Sequence, residues 1–595
     1  MTMNMKTYIL KIIHTVSFPV LKEPLFFTFM YILGTLSITI EPDYPPFYLK
    51  LYADLFLDTY ILTTLVVIIP KRARTIVKFG ICIFLYLLTC VDFFCLNRLG
   101  TNITPTIVGL IFETNKNEAT DFLNSYINTD IFQSNIIITI CLAVIHLFAF
   151  VYTKDKSIMS DRIWRPVRFL ILLSLIVCII VTIPNKKRLF VIFSQESTES
   201  TELLFANDYW NGKILYQPTY RLFFALQQIW LANKQIQELK QNSQNISSLI
   251  TGLDHSPENI VLIIGESYNK HHSQLYGYPL PTTPKQMERQ QYGELFVFTD
   301  AISPSNLTSE VFKDVLSMND VSRNEPWYEK PLFTQYFKSS GYNVVFITNQ
   351  YVPSVQNSVF DFSGGAILND KEISQSQFTH RNTKSHDLDE DLIIDYDSLR
   401  RYSTKNNLFI FHLIGQHVAY KQRFPNHFSH FGLNDYNRPQ LTTDEIEIVK
   451  DYDNATYYND YVINQIISLF EQEEAIVIYL SDHGEECFDE INTFGRLHGE
   501  INSFIAKNEF EIPLWIWCSS NYMTRHEQIV DNIKTSLSKP ITSDDLGHLL
   551  LYLGGIKCRD YKDTKNPILP QYDTRQKRLI KKYFDYDSII HNKHE

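Results

Sequence analysis

Cysteine is scarce where it could staple a fold. The chain has eight cysteines in 595 residues. Cys82, Cys90, Cys95, Cys141 and Cys178 lie in apolar segments and read as small buried hydrophobes. Only Cys487, Cys518 and Cys558 fall in polar sequence, and three scattered thiols exclude a disulfide framework. No internal repeat or long low-complexity tract occurs, which excludes a repeat array. No small-residue cleavage site follows the first apolar run, which points to an anchor rather than a removable signal peptide. Basic charge is also short. Residues 1–184 carry fifteen Lys+Arg against twelve Asp+Glu, and the remainder bears about -14 of the net -11. An acidic polar part excludes nucleic acid as a partner, because phosphate backbones need a basic face.

Apolar runs are plentiful. They cover residues 24–40, 51–70, 76–95, 132–152 and 167–184, each near the ~20 residues that cross ~30 Å of hydrocarbon. The first is the weakest, since it extends back through residues 8–20. Aromatic residues make up 14% of the chain, which suits interfacial Tyr, Phe and Trp. Lys71, Arg72 and Arg74 lie between the second and third runs. Lys154, Lys156, Arg162, Arg165 and Arg168 lie around the loop between the fourth and fifth. Both loops are expected on the cytoplasmic side. The loop 96–131 and everything after about residue 185 then lie outside. Asn185-Lys186-Lys187-Arg188 opposes this rule and is expected against lipid headgroups. Residues 219–240 form an amphipathic stretch with Tyr220, Leu222, Phe223, Leu226, Ile229 and Trp230. It suits a helix on the membrane surface or one packed on the globular domain.

Beyond residue 256, short apolar runs alternate with helix-like polar stretches. The runs are Ile260–Ile264, Leu295–Phe298, Val344–Ile347, Leu408–Phe411 and Ala475–Leu480. Residues 309–317, 331–340 and 456–472 read as helices, and 366–395 as an excursion from the sheet. Such alternation predicts a largely parallel sheet covered on both faces. The fold class is an N-terminal all-α transmembrane bundle of five helices (1–184), a bridging linker (185–255) and a C-terminal α/β domain (256–595).

Polar groups fall just past the strand ends. Glu266 follows the first, His412 and His417 the fourth, and Ser481-Asp482-His483-Gly484-Glu485 the fifth. Strand ends of a parallel sheet converge at one edge, so Glu, Asp and His from distant segments can surround one ion. That donor set suits zinc. Thr308 precedes a helix, whose N-terminus favours an incoming phosphate. Its hydroxyl is a candidate nucleophile, with Ser305 and Ser309 as nearby competitors and a plain helix cap as the alternative.

These motifs together resemble the phosphoethanolamine transferases, inner-membrane members of the alkaline phosphatase/sulfatase superfamily. The resemblance rests on Gly265-Glu266-Ser267, Leu275-Tyr276-Gly277-Tyr278-Pro279 with Thr282-Thr283-Pro284, and Gly341-Tyr342 through Thr348-Asn349-Gln350. It rests also on His412-Leu413-Ile414-Gly415-Gln416-His417, Tyr420-Lys421, Arg423-Phe424-Pro425, Ser481–Glu485 and Leu497-His498-Gly499. It implies a sulfatase-like periplasmic domain on an inner-membrane anchor, with one or two zinc ions. Glu266, Asp482, His483 and Thr308 would bind zinc, and Thr308 would carry the phosphoethanolamine, placed by Leu316-Ser317. His417 and His498 would hold the phosphoryl group or a second zinc. Thr114 and Glu118 in the outer loop would contact the donor.

The donor implied is phosphatidylethanolamine. The acceptor implied is lipopolysaccharide, at lipid A or core, or another envelope glycan. Three departures mark a separate branch. Pro304 and Asp314 stand where the family has a cysteine pair, a lysine after the Asn-Gln block is missing, and the loop from His483 to His498 is longer. A sulfatase activity needs Cys/Ser-x-Pro-x-Arg, and Ser303-Pro304-Ser305-Asn306-Leu307-Thr308 has no arginine. A glycerophosphate transferase of the lipoteichoic acid synthase type is the main rival. Another membrane-bound hydrolase of the superfamily and a catalytically dead scaffold are the others.

Overall fold

The computed structural model describes the chain except residues 1–4, 41–48, 100–101, 106, 109–134, 154–160, 208–212, 255–256, 351–367, 369, 492–493, 497–500 and 592–595. The chain divides into two compact units, Met1–Ala232 and Asn233–Glu595.

The first unit is helical: α1 (Met5–Lys22), α2 (Pro24–Thr39), α3 (Leu49–Ile68), α4 (Lys71–Leu99), α5 (Asn135–Thr153) and α6 (Asp161–Phe193). Among the described residues, four helices are long and apolar enough to cross a membrane. A fifth span exists only if α1 and α2 count as one, and these are bent by 74°. The bend has a local cause. Pro24 sits at the first position of α2 and lacks an N–H, and the residue before a proline is pushed out of the α region. Glu23 accordingly has φ -129° and ψ 57°. Ile76, Phe148 and Ile180 are among many large apolar side chains exposed on this unit, as a lipid-facing surface requires.

Two carboxylates here, the buried Asp92 and the half-buried Asp58, are matched by resident partners. Asp92 takes the Arg221 guanidinium, Asn102 Nδ2 at 3.0 Å and the Ile103 N–H at 2.9 Å. Asp58 accepts from Lys186 (2.6 Å), Tyr216 (3.1 Å), Gln217 (3.1 Å) and Tyr220 (2.6 Å). α6 continues through Asn185–Arg188, the segment expected against lipid headgroups, and within it Asn185 and Lys186 pair with acidic residues of α3, Asn185 with Asp54 and Lys186 with Asp54 and Asp58.

The stretch expected at 219–240 is α7 (Pro218–Ser243), which contains the boundary between the units. Its Tyr220 and Arg221 bond within the helical unit, whereas Ile236 and Leu239 belong to the core of the second.

The second unit is built on seven strands: β1 (Asn259–Gly265), β2 (Leu295–Phe298), β3 (Asn343–Thr348), β4 (His380–Arg381), β5 (Asn407–His412), β6 (Ala475–Ser481) and β7 (Leu514–Cys518). Their spatial order is β2-β7-β6-β1-β5-β3-β4. Only β7 runs against the others. The five anticipated strands all form. The sequence reading missed β7, and segment 366–395 is not simply an excursion, because His380–Arg381 extends the sheet edge. A two-residue edge strand carries no periodicity to read.

Alternation along the central strands explains the two cores. Ile260, Leu262 and Ile264 face one cluster with Phe312, Phe333 and Leu550, whereas Val261 and Ile263 face another with Val462, Ile466 and Trp515. Buried on both faces, these strands read as continuous apolar runs. At the edge that matters for function, Gly265 pairs with Ser481 and Ile264 with His412. The chain leaves β1, β5 and β6 side by side.

Candidate active site

Register delivers the acidic groups to one point. The Asp482 N–H donates to Gly265 O at 3.0 Å, continuing the β1–β6 ladder one step past the strands. That step puts Glu266 and Asp482 next to each other. Space around them is tight. A Cβ on Gly265 would stand 2.2 Å from the Tyr479 hydroxyl, and one on Gly484 would stand 2.1 Å from Asn508 O. Ser267 takes φ 56°, a left-handed conformation worth about 1–3 kcal/mol of strain for a non-glycine residue. The Tyr452 hydroxyl donates to Ser267 O at 2.6 Å, and the Ser267 N–H donates to Asp482 Oδ1 at 3.0 Å.

Thr308 opens the helix α8 (Thr308–Leu316). Its Oγ1 lies 3.1 Å from Glu266 Oε2, 3.4 Å from Glu266 Oε1 and 3.3 Å from His483 Nε2. Glu266, Asp482, His483 and Thr308 are all buried. Ser317, at the other end of α8, donates to Trp327 O at 2.7 Å and anchors the turn that follows.

The cluster fits a metal ion on its own geometry. Ligand atoms of Glu266, Asp482 and His483 lie within 4.8 Å of one another. His483 Nδ1 lies 2.7 Å from Gly484 O, which assigns its proton to Nδ1 and leaves a lone pair on Nε2. That lone pair faces Asp482 Oδ2 at 3.2 Å and Glu266 Oε1 at 3.4 Å. Three acceptors thus converge. Asp482 Oδ2 is buried with no hydrogen-bond partner among the described residues. Burial and the Glu266 charge push Asp482 well above the usual carboxylate range. Burial acts against ionisation of Glu266 too, but His483, His417 and Arg496 hold its carboxyl well below that range. Two buried carboxylates this close share one negative charge unless a cation joins them. Two carboxylates, an imidazole and a hydroxyl are a donor set suited to zinc.

Other candidates fall differently. His417 is half-buried and feels the Glu266 charge through space, while burial lowers its pKa. His412 is fully buried with Nδ1 3.0 Å from the Thr348 hydroxyl, and burial lowers its pKa to about 3, so it stays neutral. His498, Thr114 and Glu118 lie outside the described residues. Pro304 accepts from the Lys581 N–H at 2.8 Å, and Asp314 is buried with its pKa raised by burial to about 7. All eight cysteines are free.

Three neighbours were not singled out by sequence. Gln350 Nε2 donates to Glu266 Oε2 (3.1 Å) and to Leu413 O (2.7 Å), and so braces the carboxylate. Asp389 accepts from the N–H groups of Ile414 and Gly415, both at 2.9 Å, and shapes the loop after β5. Arg496 Nη1 lies 3.0 Å from His483 Nε2. Gln350 belonged to a recognised block, but nothing local in the sequence marked Asp389 or Arg496.

Comparison with known proteins agrees with this architecture. The family description "Sulfatase" matches residues 258–556. Phosphoethanolamine transferase EptC of Escherichia coli (strain K12) is 24% identical over 541 residues, 88% of each chain. Phosphoethanolamine transferase EptA of Helicobacter pylori is 29% identical over 320 residues, 53% of this chain and 55% of that one. The solved integral membrane protein lipooligosaccharide phosphoethanolamine transferase A from Neisseria meningitidis superposes with a TM-score of 0.52 at 15% identity. That match covers 91% of this chain and 98% of the other and shows a shared fold. With the family match spanning half its length and a strand-edge cluster of Glu266, Asp482 and His483 beside a buried threonine, the chain belongs to the sulfatase family.

Proposed function

We propose that the chain is a zinc-dependent transferase. It moves phosphoethanolamine from phosphatidylethanolamine to lipopolysaccharide, at lipid A or core, or to another envelope glycan. The group is carried in between as an ester on Thr308. One observation carries the reading: the Thr308 hydroxyl sits 3.1 Å from Glu266 and 3.3 Å from His483, at the mouth of a three-ligand cluster. The curated relatives named above, similar over much of their length, support the choice of group transferred. A bacterial inner-membrane location with a periplasmic α/β unit follows from this reading and from the apolar helices.

Zinc would be held by Glu266, Asp482, His483 and Thr308, where it supplies a Lewis acid that acidifies the hydroxyl and neutralises charge building on phosphorus. The chain's own residues do the rest. Glu266 orients Oγ1 by accepting its proton in a hydrogen bond. Oγ1 attacks phosphorus, the bond from phosphorus to the glycerol oxygen breaks, and diacylglycerol leaves with a proton. The acceptor oxygen then attacks the same phosphorus, its proton is lost, and the Thr308 hydroxyl is restored. Dividing the transfer in two lowers each barrier. The N-terminus of α8 favours the phosphoryl anion. His417 and His498 are assigned to the phosphoryl group or a second zinc, and Thr114 and Glu118 to the donor headgroup.

Intact-mass analysis of protein incubated with phosphatidylethanolamine vesicles is expected to show a phosphoethanolamine adduct that Thr308→Ala removes. An adduct persisting on that variant moves the nucleophile elsewhere. A glycerophosphate adduct formed from phosphatidylglycerol vesicles, with none formed from phosphatidylethanolamine, would favour the lipoteichoic-type rival.

A further inference from the structure

Arg496 has no role in the scheme above, yet it stands at the centre of the site. It follows the two-residue strand Phe494–Gly495, which pairs antiparallel with Glu486–Cys487. This hairpin leaves the cluster just after His483 and returns a guanidinium to it, 13 residues later in sequence. A guanidinium is charged at any ordinary pH, and this one lies half-buried within the field of Glu266, Glu485, Asp482 and Glu509.

The contacts do not match that investment. Among the described residues the guanidinium makes one hydrogen bond, to His483 Nε2. It carries five N–H donors in a planar fork. It forms no direct pair with any of those four carboxylates. The single acceptor it has is the lone pair that a metal ligand must give away, so coordination by His483 leaves that N–H pointing into the site. An anion that approaches Thr308 also meets several buried carboxylates and needs fixed positive charge on its path.

Geometry supplies the link. Thr308 Oγ1 is 3.3 Å and Arg496 Nη1 is 3.0 Å from the same His483 Nε2, so the two atoms cannot be farther apart than the 6.3 Å total. A phosphoryl group on Oγ1 projects its oxygens into that space, and guanidinium forks match phosphate oxygens in pairs. We infer that Arg496 binds the non-bridging oxygens of the phosphodiester donor and of the phosphoryl group carried by Thr308. This inference rests on the transfer reading and deepens it.

The test uses the full-length, zinc-loaded protein in detergent, as wild type, Arg496→Gln and Arg496→Lys. Inorganic phosphate binding is read by calorimetry, zinc by elemental analysis, and the Thr308 adduct by intact mass. Expected for Arg496→Gln are full zinc content and a phosphate Kd raised about tenfold or more, as for a lost charge-assisted bond. Arg496→Lys retains part of that affinity, and both variants raise KM for the donor more than they lower kcat. Unchanged phosphate affinity in Arg496→Gln at full zinc content overturns the inference. So does a joint loss of zinc and phosphate affinity in both variants, which would make Arg496 a brace for His483. If phosphate binds through Arg496 but the wild type never gains an adduct, the anion-binding role of Arg496 stands, and the transfer reading fails together with the carried phosphoryl group.

Discussion

Two charge clusters, one in each unit, are treated in opposite ways. In the helical unit, Asp92 and Asp58 are surrounded by partners of the chain itself, an arginine, a lysine, amides and tyrosine hydroxyls. At the strand edge of the α/β unit, Asp482 Oδ2 lacks a hydrogen bond among the described residues, and a histidine lone pair faces it. Burying a carboxylate is expensive unless it is paired. A chain that satisfies such groups in one place and leaves them converging in another marks the second place for a ligand. Neutralised charge holds structure, and charge left converging on one point binds something.

The sharpest way to break this contrast is Asp482→Ala. Zinc content should fall to background and adduct formation by on the order of 10³-fold, since the ion's stabilisation of charge on phosphorus disappears. The fold should survive, because removing the carboxylate relieves the cost of burying Oδ2 without a hydrogen bond, and the bonds lost with Oδ1 are those from the Ser267 and His483 N–H groups. Normal zinc stoichiometry in that variant would erase the distinction between the two sites. Arg221→Ala should do the reverse. It leaves Asp92 buried without its counter-ion and should destabilise the helical unit by about 3–5 kcal/mol, read as a lower melting temperature in detergent, while zinc content per folded molecule holds.

A third measurement uses pH. His272 is buried between Asp453 (2.6 Å) and Asp489 (3.0 Å). Burial alone would lower its pKa, but the two carboxylates raise it to about 10. A histidine whose folded pKa exceeds the unfolded ~6.5 contributes its full stability below ~6.5. That contribution is lost as pH rises from there through about 10. The melting temperature should therefore fall between pH 7 and pH 10, and His272→Gln should flatten the slope. An equal slope in the variant would assign the alkaline sensitivity to other groups. The smallest effect is expected for Lys186→Met. Asp58 keeps Tyr216, Gln217 and Tyr220, so about 1 kcal/mol is expected, typical of one hydrogen bond among several. A loss as large as that of Arg221→Ala would mean Lys186 serves Asp54 more than Asp58.

Much of the architecture was legible before the structure. Five strands written as continuous apolar runs declare a sheet buried on both faces, and polar residues just beyond them declare its active edge. The convergence of Glu266, Asp482, His483 and Thr308 could be anticipated because parallel strands end together. β7 is an apolar run of the same kind, Leu514–Cys518, that the reading passed over, and its reversed direction is set only by its pairing with β2 and β6. Asp389, Gln350 and Arg496 act on groups between 25 and 84 residues away or across a hairpin, and no local spacing encodes such contacts. The bend between α1 and α2 was written in Glu23-Pro24, although composition alone joined the two into one run.

Sequence by itself settled what kinds of surface the chain must make, because hydrophobic periodicity and the hard geometry of proline and glycine act over a few residues. It specified a lipid-facing helical region, a doubly covered sheet and a hydroxyl at a helix start. Which carboxylate remains without a hydrogen bond, which histidine nitrogen keeps its lone pair and where a guanidinium returns were decided only in three dimensions. Those outcomes depend on hydrogen bonds and charges contributed by segments far apart in the chain, and such sums exist only once the sheet has aligned its strand ends.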